Sequence, residues 1–78
     1  MNISDLKSYA SLGVKMTFEA VYIYDSWVLE VSVTRDNMLK KERLHIARGG
    51  VKTYINLDSL VTDIRQLKLK HCTFAVSF

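Results

Sequence analysis

The sequence predicts an α+β two-layer sandwich: a mostly antiparallel sheet of about five strands with helical cover, in the order α-β-β-β-β-α-β. Large apolar side chains recur at every second position along residues 14–24 and again along 27–33, which is typical of half-buried strands. A later segment carries one continuous apolar stripe at helical spacing, formed by Leu57, Leu60, Val61, Ile64 and Leu67. Because the chain has 78 residues, 49% of them hydrophobic, we expect residues 1–78 to form a single domain around one core.

The first element is predicted to be a short helix. Asn2 or Ser4 can cap its N-terminus, and the helix then runs to about Leu12. Gly13 suits the left-handed residue that commonly follows a helix.

A long hairpin follows, and its predicted turn is the dipeptide Asp25-Ser26. This register sets Tyr24 opposite Trp27 and places the large apolar residues of both strands on one face. On the other face Val21 lies opposite Glu30 and Ile23 opposite Val28. Val21, Ile23 and Val28 thus form an apolar cluster away from the core. Either the N-terminal helix folds over this cluster through Ile3, Leu6, Tyr9 and Ala10, or the cluster contacts another chain, which could be a second copy in a homodimer.

A polar loop from Arg35 to about Lys41 is predicted to lead into a second hairpin. Its strands are residues 43–47 and 51–55, joined by a two-residue turn at Gly49-Gly50. In this register Leu44 and Ile55 face the core, whereas His45 and Tyr54 face outward. Asn56 then caps the second helix, and residues 71–78 form the last strand.

The outer side of this second hairpin is a candidate binding surface, which we call the basic hairpin face. It comprises Arg43, His45, Lys52 and Tyr54, with Lys40, Lys41 and Arg48 at its ends. Formal charge is uneven along the chain, −2 over residues 1–39 and +5 over residues 40–78. Cations beside an aromatic ring are typical of single-strand nucleic-acid binding, but the same face could contact a protein or simply be solvated.

No constellation of residues indicates catalysis or a cofactor. Glu19 and Glu30 are expected in water on the polar side of the first hairpin, and Cys72 is expected in the core. His71 and Cys72 are strand neighbours that face opposite sides, so they cannot share a metal ion. We therefore expect a protein that is not an enzyme and needs no metal. A single cysteine allows no internal disulfide, and we find neither a signal peptide nor a membrane span, so we expect the protein to be cytoplasmic.

Residues 47–76 resemble small proteins carried by plasmids, phages and integrative elements that are labelled partition-associated or plasmid-replication-associated. The matching positions are Arg48, Gly49, Tyr54, Leu57, Asp58, Leu67, Phe74 and Val76. The opening helix, glycine and long hairpin are also similar, whereas Lys68-Leu69-Lys70 departs from the glycine that relatives often have after the helix. The resemblance implies a mobile-element setting.

Two functional hypotheses follow. The first is a stoichiometric protein-binding inhibitor of a host defence complex, of the anti-CRISPR type, which uses either Val21, Ile23 and Val28 or the basic hairpin face. The second is a nucleic-acid-binding accessory protein of plasmid partition or replication, which uses the basic hairpin face.

Overall fold

The computed structural model describes all 78 residues and confirms a small α+β fold, with two helices packed on one face of a five-stranded mixed sheet. The elements are α1 (Ile3–Ser11), β1 (Lys15–Ile23), β2 (Ser26–Arg35), β3 (Met38–Arg43), β4 (Thr53–Tyr54), α2 (Leu57–Arg65) and β5 (Thr73–Ser77). The strand order is β3-β2-β1-β5, and β4 also pairs with β2. Only β5, which is parallel to β1, breaks the antiparallel pattern.

Both helices begin as the sequence predicts. Asn2 caps α1 reciprocally with Asp5: the Asp5 amide donates to Asn2 Oδ1 at 3.0 Å, and the Asn2 amide donates to Asp5 Oδ2 at 2.9 Å. Gly13 follows α1 with φ 72°, a conformation that glycine adopts without steric cost. Asn56 caps α2 by accepting from the Ser59 amide at 2.9 Å.

The β1–β2 hairpin turns at Tyr24-Asp25 rather than at the predicted Asp25-Ser26. Both turn residues have positive φ, 49° and 61°. The register therefore differs by two residues, with Tyr22 opposite Trp27, Val21 opposite Val28 and Ile23 opposite Ser26. Because a shift of two preserves the alternation, each side chain keeps its predicted face. The observed register brings the rings of Tyr22 and Trp27 to 5.0 Å, a favourable aromatic pair.

Residues 38–43 form strand β3, where the sequence predicts mostly loop. The turn before it, Asp36-Asn37, has φ 52° and 64°, and Asp and Asn tolerate this region best after glycine. β3 lies at the edge of the sheet and is exposed along most of its length, so its side chains carry no apolar alternation. Its backbone pairing with β2 defines it instead.

The predicted second hairpin is wrong in register. Residues 44–52 make a compact excursion in which His45 bridges to Val51, and the Lys52 amide donates to the Leu44 carbonyl at 2.9 Å. β4 then continues the line of β3 along β2. The register differs from the prediction by an odd number of residues, which reverses the faces: Tyr54 is 6% exposed and Ile55 is 91% exposed.

The core lies between the sheet and the two helices. Its buried members are Leu6, Met16, Phe18, Ala20, Trp27, Leu29, Val31, Val33, Leu44, Tyr54, Leu60, Ile64 and Leu67. Leu6 brings α1 to the same face of the sheet as α2, so no helix covers the opposite face. We call that opposite face the outer face.

Leu44 anchors the 44–52 excursion in the core, so its truncation should destabilise the whole domain. We expect Leu44→Ala to lower the free energy of unfolding by about 2–5 kcal/mol, since the side chain is fully buried. Leu39→Ala, on the neighbouring exposed strand, should change it by less than about 0.5 kcal/mol. Urea unfolding of both variants measures the difference, and equal effects would contradict this core assignment.

Candidate interaction surfaces

The residues of the predicted basic hairpin face do not form one surface. Arg43 lies on the outer face, where its Nε is 3.3 Å from Glu30 Oε2. Tyr54 points inward beneath α2, and Lys52 lies beside it. The odd shift in register is the reason, because it turns Tyr54 away from the side that bears Arg43. The tyrosine ring is therefore not available to stack on a base.

His45 and Arg48 are also separated. His45 is half-buried; its amide donates to the Met1 carbonyl at 2.7 Å, and its Nδ1 is enclosed without a hydrogen-bond partner. Arg48 lies at the exposed tip of the excursion. Lys40 pairs with Glu42 at 3.7 Å along the edge strand.

Lys52, Tyr54 and Asp63 form a partly buried polar cluster that joins the excursion to α2. Lys52 Nζ and Tyr54 Oη each lie 2.6 Å from Asp63 Oδ2. Burial raises the pKa of Asp63, but the hydrogen bonds from Lys52 and Tyr54 outweigh it and hold the pKa below its usual value. Burial, together with the Asp63 carboxylate, raises the pKa of Tyr54. The cluster is thus a structural clamp with its charge compensated.

The middle of the outer face carries a network of alternating charges. Lys41 Nζ lies 3.2 Å from Glu30 and 3.6 Å from Glu19, which stand directly opposite each other on β2 and β1. The Ser77 hydroxyl also donates to Glu19, and this hydrogen bond is the main cause that lowers the pKa of Glu19. The two glutamates are thus partly shielded rather than free in water: Lys41 and Arg43 engage Glu30, and Lys41 and Ser77 engage Glu19.

The apolar cluster of Val21, Ile23 and Val28 stays on the outer face, apart from the core. Of the two alternatives, cover by α1 is wrong, because Leu6 packs on the opposite side of the sheet. Contact of the cluster with another chain stays a prediction. Val28 is 5% exposed, while Val21 and Ile23 are half-buried. The accessible part of this cluster therefore consists of Val21 and Ile23.

A larger apolar surface lies at the end of the sheet that contains the β1–β2 turn, and we call it the hairpin end. Five large apolar side chains there are at least 40% exposed: Tyr22, Tyr24, Ile55, Val76 and Phe78. Trp27 packs against Tyr22 at 5.0 Å and holds that ring in place, whereas Phe78 meets Trp27 edge-on at 5.5 Å and stays 94% exposed. Val21 and Ile23 adjoin the same end on the outer face.

The sequence pattern did not reveal the hairpin end as a surface. It assigned Tyr22, Tyr24 and Phe78 to the core side of their strands. Tyr22 does lie on that side, opposite the core residue Trp27, but all three side chains remain at least 40% exposed. A signal was present in the turn-forming dipeptide Asp25-Ser26, because Tyr24 directly precedes it and so stands beside the tip of the hairpin.

Cys72 is exposed rather than buried as expected, because β5 begins only at Thr73. No group of three or more His, Cys, Asp or Glu side chains is arranged to hold a metal ion. Neither helix is long and apolar enough to cross a membrane.

These features define a small α+β domain with an open sheet face and an aromatic, apolar hairpin end. Comparisons with protein-family models, with curated proteins and with solved structures find no match to this chain. Its own surface chemistry therefore supplies the argument about function.

The Asp63 clamp makes stability depend on pH. A carboxyl whose folded pKa lies below its unfolded value stabilises the fold above the unfolded pKa, and the contribution is lost as pH falls through the folded pKa. We expect Asp63→Asn to lower the free energy of unfolding by about 1–3 kcal/mol at neutral pH, since a partly buried, charged hydrogen-bond acceptor is lost.

Urea unfolding between neutral pH and about pH 2 tests this, because the stability difference between wild type and Asp63→Asn should shrink as the carboxyl is protonated. Asp58→Asn, on the exposed side of α2, is the matched control and should show a smaller difference at neutral pH. A difference for Asp63→Asn that does not change with pH would contradict the clamp.

Proposed function

We propose that this protein is a non-catalytic, stoichiometric protein-binding inhibitor that acts on a host defence complex of the CRISPR-Cas type through its hairpin end. The observation that carries the proposal is Tyr24, a large aromatic residue that is 96% exposed and held at φ 49°.

Tyr24 does nothing for the fold that would explain its presence in the turn. A non-glycine residue in the left-handed region costs roughly 1–2 kcal/mol, and asparagine or aspartate tolerates it better than tyrosine. The β2–β3 turn uses Asp36-Asn37 at the same two positions. Because Tyr24 combines backbone strain with a ring that packs on almost nothing, a contact outside the chain is the best reason for it.

The surroundings of Tyr24 suit a protein partner. Tyr22 is positioned by its contact with Trp27, so ordering it on binding costs little conformational entropy. Tyrosine and other aromatic residues are frequent hot spots of protein interfaces. Ile55 extends the apolar area at the same end, and Asp25 is the charged residue of the turn.

The inhibitory role follows from how a chain of this size can act. Without a catalytic constellation it would work by occupying a surface of its target, one molecule for each site. The mobile-element resemblance implies that the target belongs to the host, and CRISPR-Cas complexes are cytoplasmic. We therefore place its action in the cytoplasm.

The alternative, a nucleic-acid-binding accessory protein of plasmid partition or replication, has less support. It relied on the basic hairpin face, in which Arg43 now pairs with Glu30 and Lys52 with Asp63. Tyr54 is buried, so the stacking ring that the hypothesis needs is missing.

The variant Tyr24→Asn should raise the stability of the fold while weakening its binding to the target. We expect this variant to be more stable by about 1 kcal/mol, which raises Tm by about 4–8 °C, because asparagine relieves the turn strain. Its affinity for the target complex should fall by about 30-fold, the loss expected for a hot-spot residue. Thermal unfolding measures the change in Tm.

Titration against purified CRISPR-Cas effector complexes measures the affinity of the variant. Phage restriction assays with and without the gene measure its inhibition. Leu39→Asn is the matched control, since Leu39 is an exposed apolar residue at the far end of the sheet, and it should inhibit like wild type. If wild type leaves restriction unchanged and binds none of the complexes, the proposed function is wrong. Full inhibition by Tyr24→Asn would exclude the hairpin end as the site.

A further inference from the structure

A groove of about 680 Å³ lies at the end of the sheet opposite the hairpin end. Its walls are the C-terminal turn of α1, the first residues of β1 and the segment that connects α2 to β5. Its apolar lining is Ala10, Val14, Met16, Leu67 and Leu69. Lys15, Lys68, Lys70 and His71 also line it, and no acidic residue does.

The lysines of this groove have no acidic partner, unlike three lysines elsewhere in the structure. Lys40, Lys41 and Lys52 each form an ion pair, whereas Lys15, Lys68 and Lys70 form none. The C-terminal ends of α1 and α2 border the groove, which Ala10 and Leu67 line, and each helix end contributes roughly −0.5 charge. Three lysines exceed that contribution by roughly two positive charges, so the groove attracts anionic groups.

The free edge of β5 starts at this groove. β5 pairs with β1 on one side only, and its five residues, Thr73–Ser77, carry no charge. The opposite edge of the sheet is β3, where residues 40–43 are all charged. Charged side chains on an edge strand discourage the addition of another strand. The β5 edge lacks that protection.

We propose that the β5 edge and the basic groove together bind an extended, acidic segment of a partner protein. The segment pairs with β5 as an added antiparallel strand, the more stable of the two arrangements. Its C-terminal part then lies beside the start of β5, where acidic side chains meet Lys68 and Lys70. Backbone hydrogen bonds supply affinity, and the lysines select the acidic sequence and its direction.

Two other occupants fit less well. The groove lining contains no Phe, Tyr or Trp on which a nucleic-acid base could stack. A second copy of the chain pairing through β5 would bring no acidic side chain to the lysines, because residues 64–78 contain neither Asp nor Glu. The basic groove lies at the other end of the sheet from Tyr24, and the β5 edge runs from the groove toward the hairpin end. The proposal does not depend on the proposed function.

Fluorescence anisotropy with a synthetic peptide tests the proposal. The peptide is about eight residues long, alternates Val and Thr, and ends in a run of Glu. We expect wild type to bind it, and Lys68→Glu/Lys70→Glu to bind about tenfold more weakly. Lys40→Glu/Arg48→Glu, which reverses two exposed cations on the opposite edge strand and at the tip of the excursion, should bind like wild type. Circular dichroism and urea unfolding confirm that both variants are folded.

Two altered peptides and a hydrogen-exchange measurement establish how the peptide binds. A peptide with its Glu run at the N-terminus, and one with Lys in place of Glu, should bind more weakly than the first. Hydrogen exchange should show protection of residues 73–77 when the acidic peptide is bound. Each of four results would overturn the proposal: no binding at roughly millimolar peptide, equal binding of the Lys peptide, tighter binding of a single-stranded oligonucleotide, or self-association of the chain through β5 in sedimentation.

Discussion

The pairing of β1 with β2 is the interaction on which the rest of this structure depends. It joins nine residue pairs, from Lys15 with Thr34 to Ile23 with Ser26. Every other strand hydrogen-bonds to this hairpin: β3 and β4 pair with β2, and β5 pairs with β1. Because β1 and β2 are central, their alternation decides which face the helices cover. One face of the hairpin packs against Leu6 of α1 and Leu60 of α2. Its side chains there include Phe18, Ala20, Leu29 and Val31.

Covering only one face leaves the molecule with three kinds of surface. The charges of the outer face largely neutralise one another, since Lys41 and Arg43 form ion pairs with Glu19 and Glu30. Surface ion pairs of this kind add little stability, but they leave a face of low net charge. Exposed apolar side chains and unpaired charges are therefore concentrated at the two ends of the sheet. One end carries strained and exposed aromatic side chains, and the other carries lysines without acidic partners beside an unprotected strand edge.

The candidate surfaces show where sequence reasoning holds and where it fails. A register error of two residues in the first hairpin left Val21, Ile23 and Val28 on their predicted face, because the side-chain period of a strand is also two. An odd error in the second hairpin moved Tyr54 into the core and Ile55 into solvent. The glycines at 49 and 50 marked the loop correctly but not its length, and one extra residue is enough to reverse a strand. The edge strand β3 gave no signal, since its side chains are exposed on both faces.

The sequence by itself determined the fold class, both helix caps, the apolar stripe of α2 and the inner face of the central hairpin. These features follow from local rules, namely capping by Asn2 and Asn56 and the periodicity of apolar residues within each segment. Only the tertiary structure decided that α1 packs beside α2, that β4 joins β2, and which residues remain exposed at the two ends. Those outcomes depend on contacts between residues far apart in the chain, whose energies no single segment contains. Tyr24 and Lys70 acquire their surroundings only when the whole sheet is assembled.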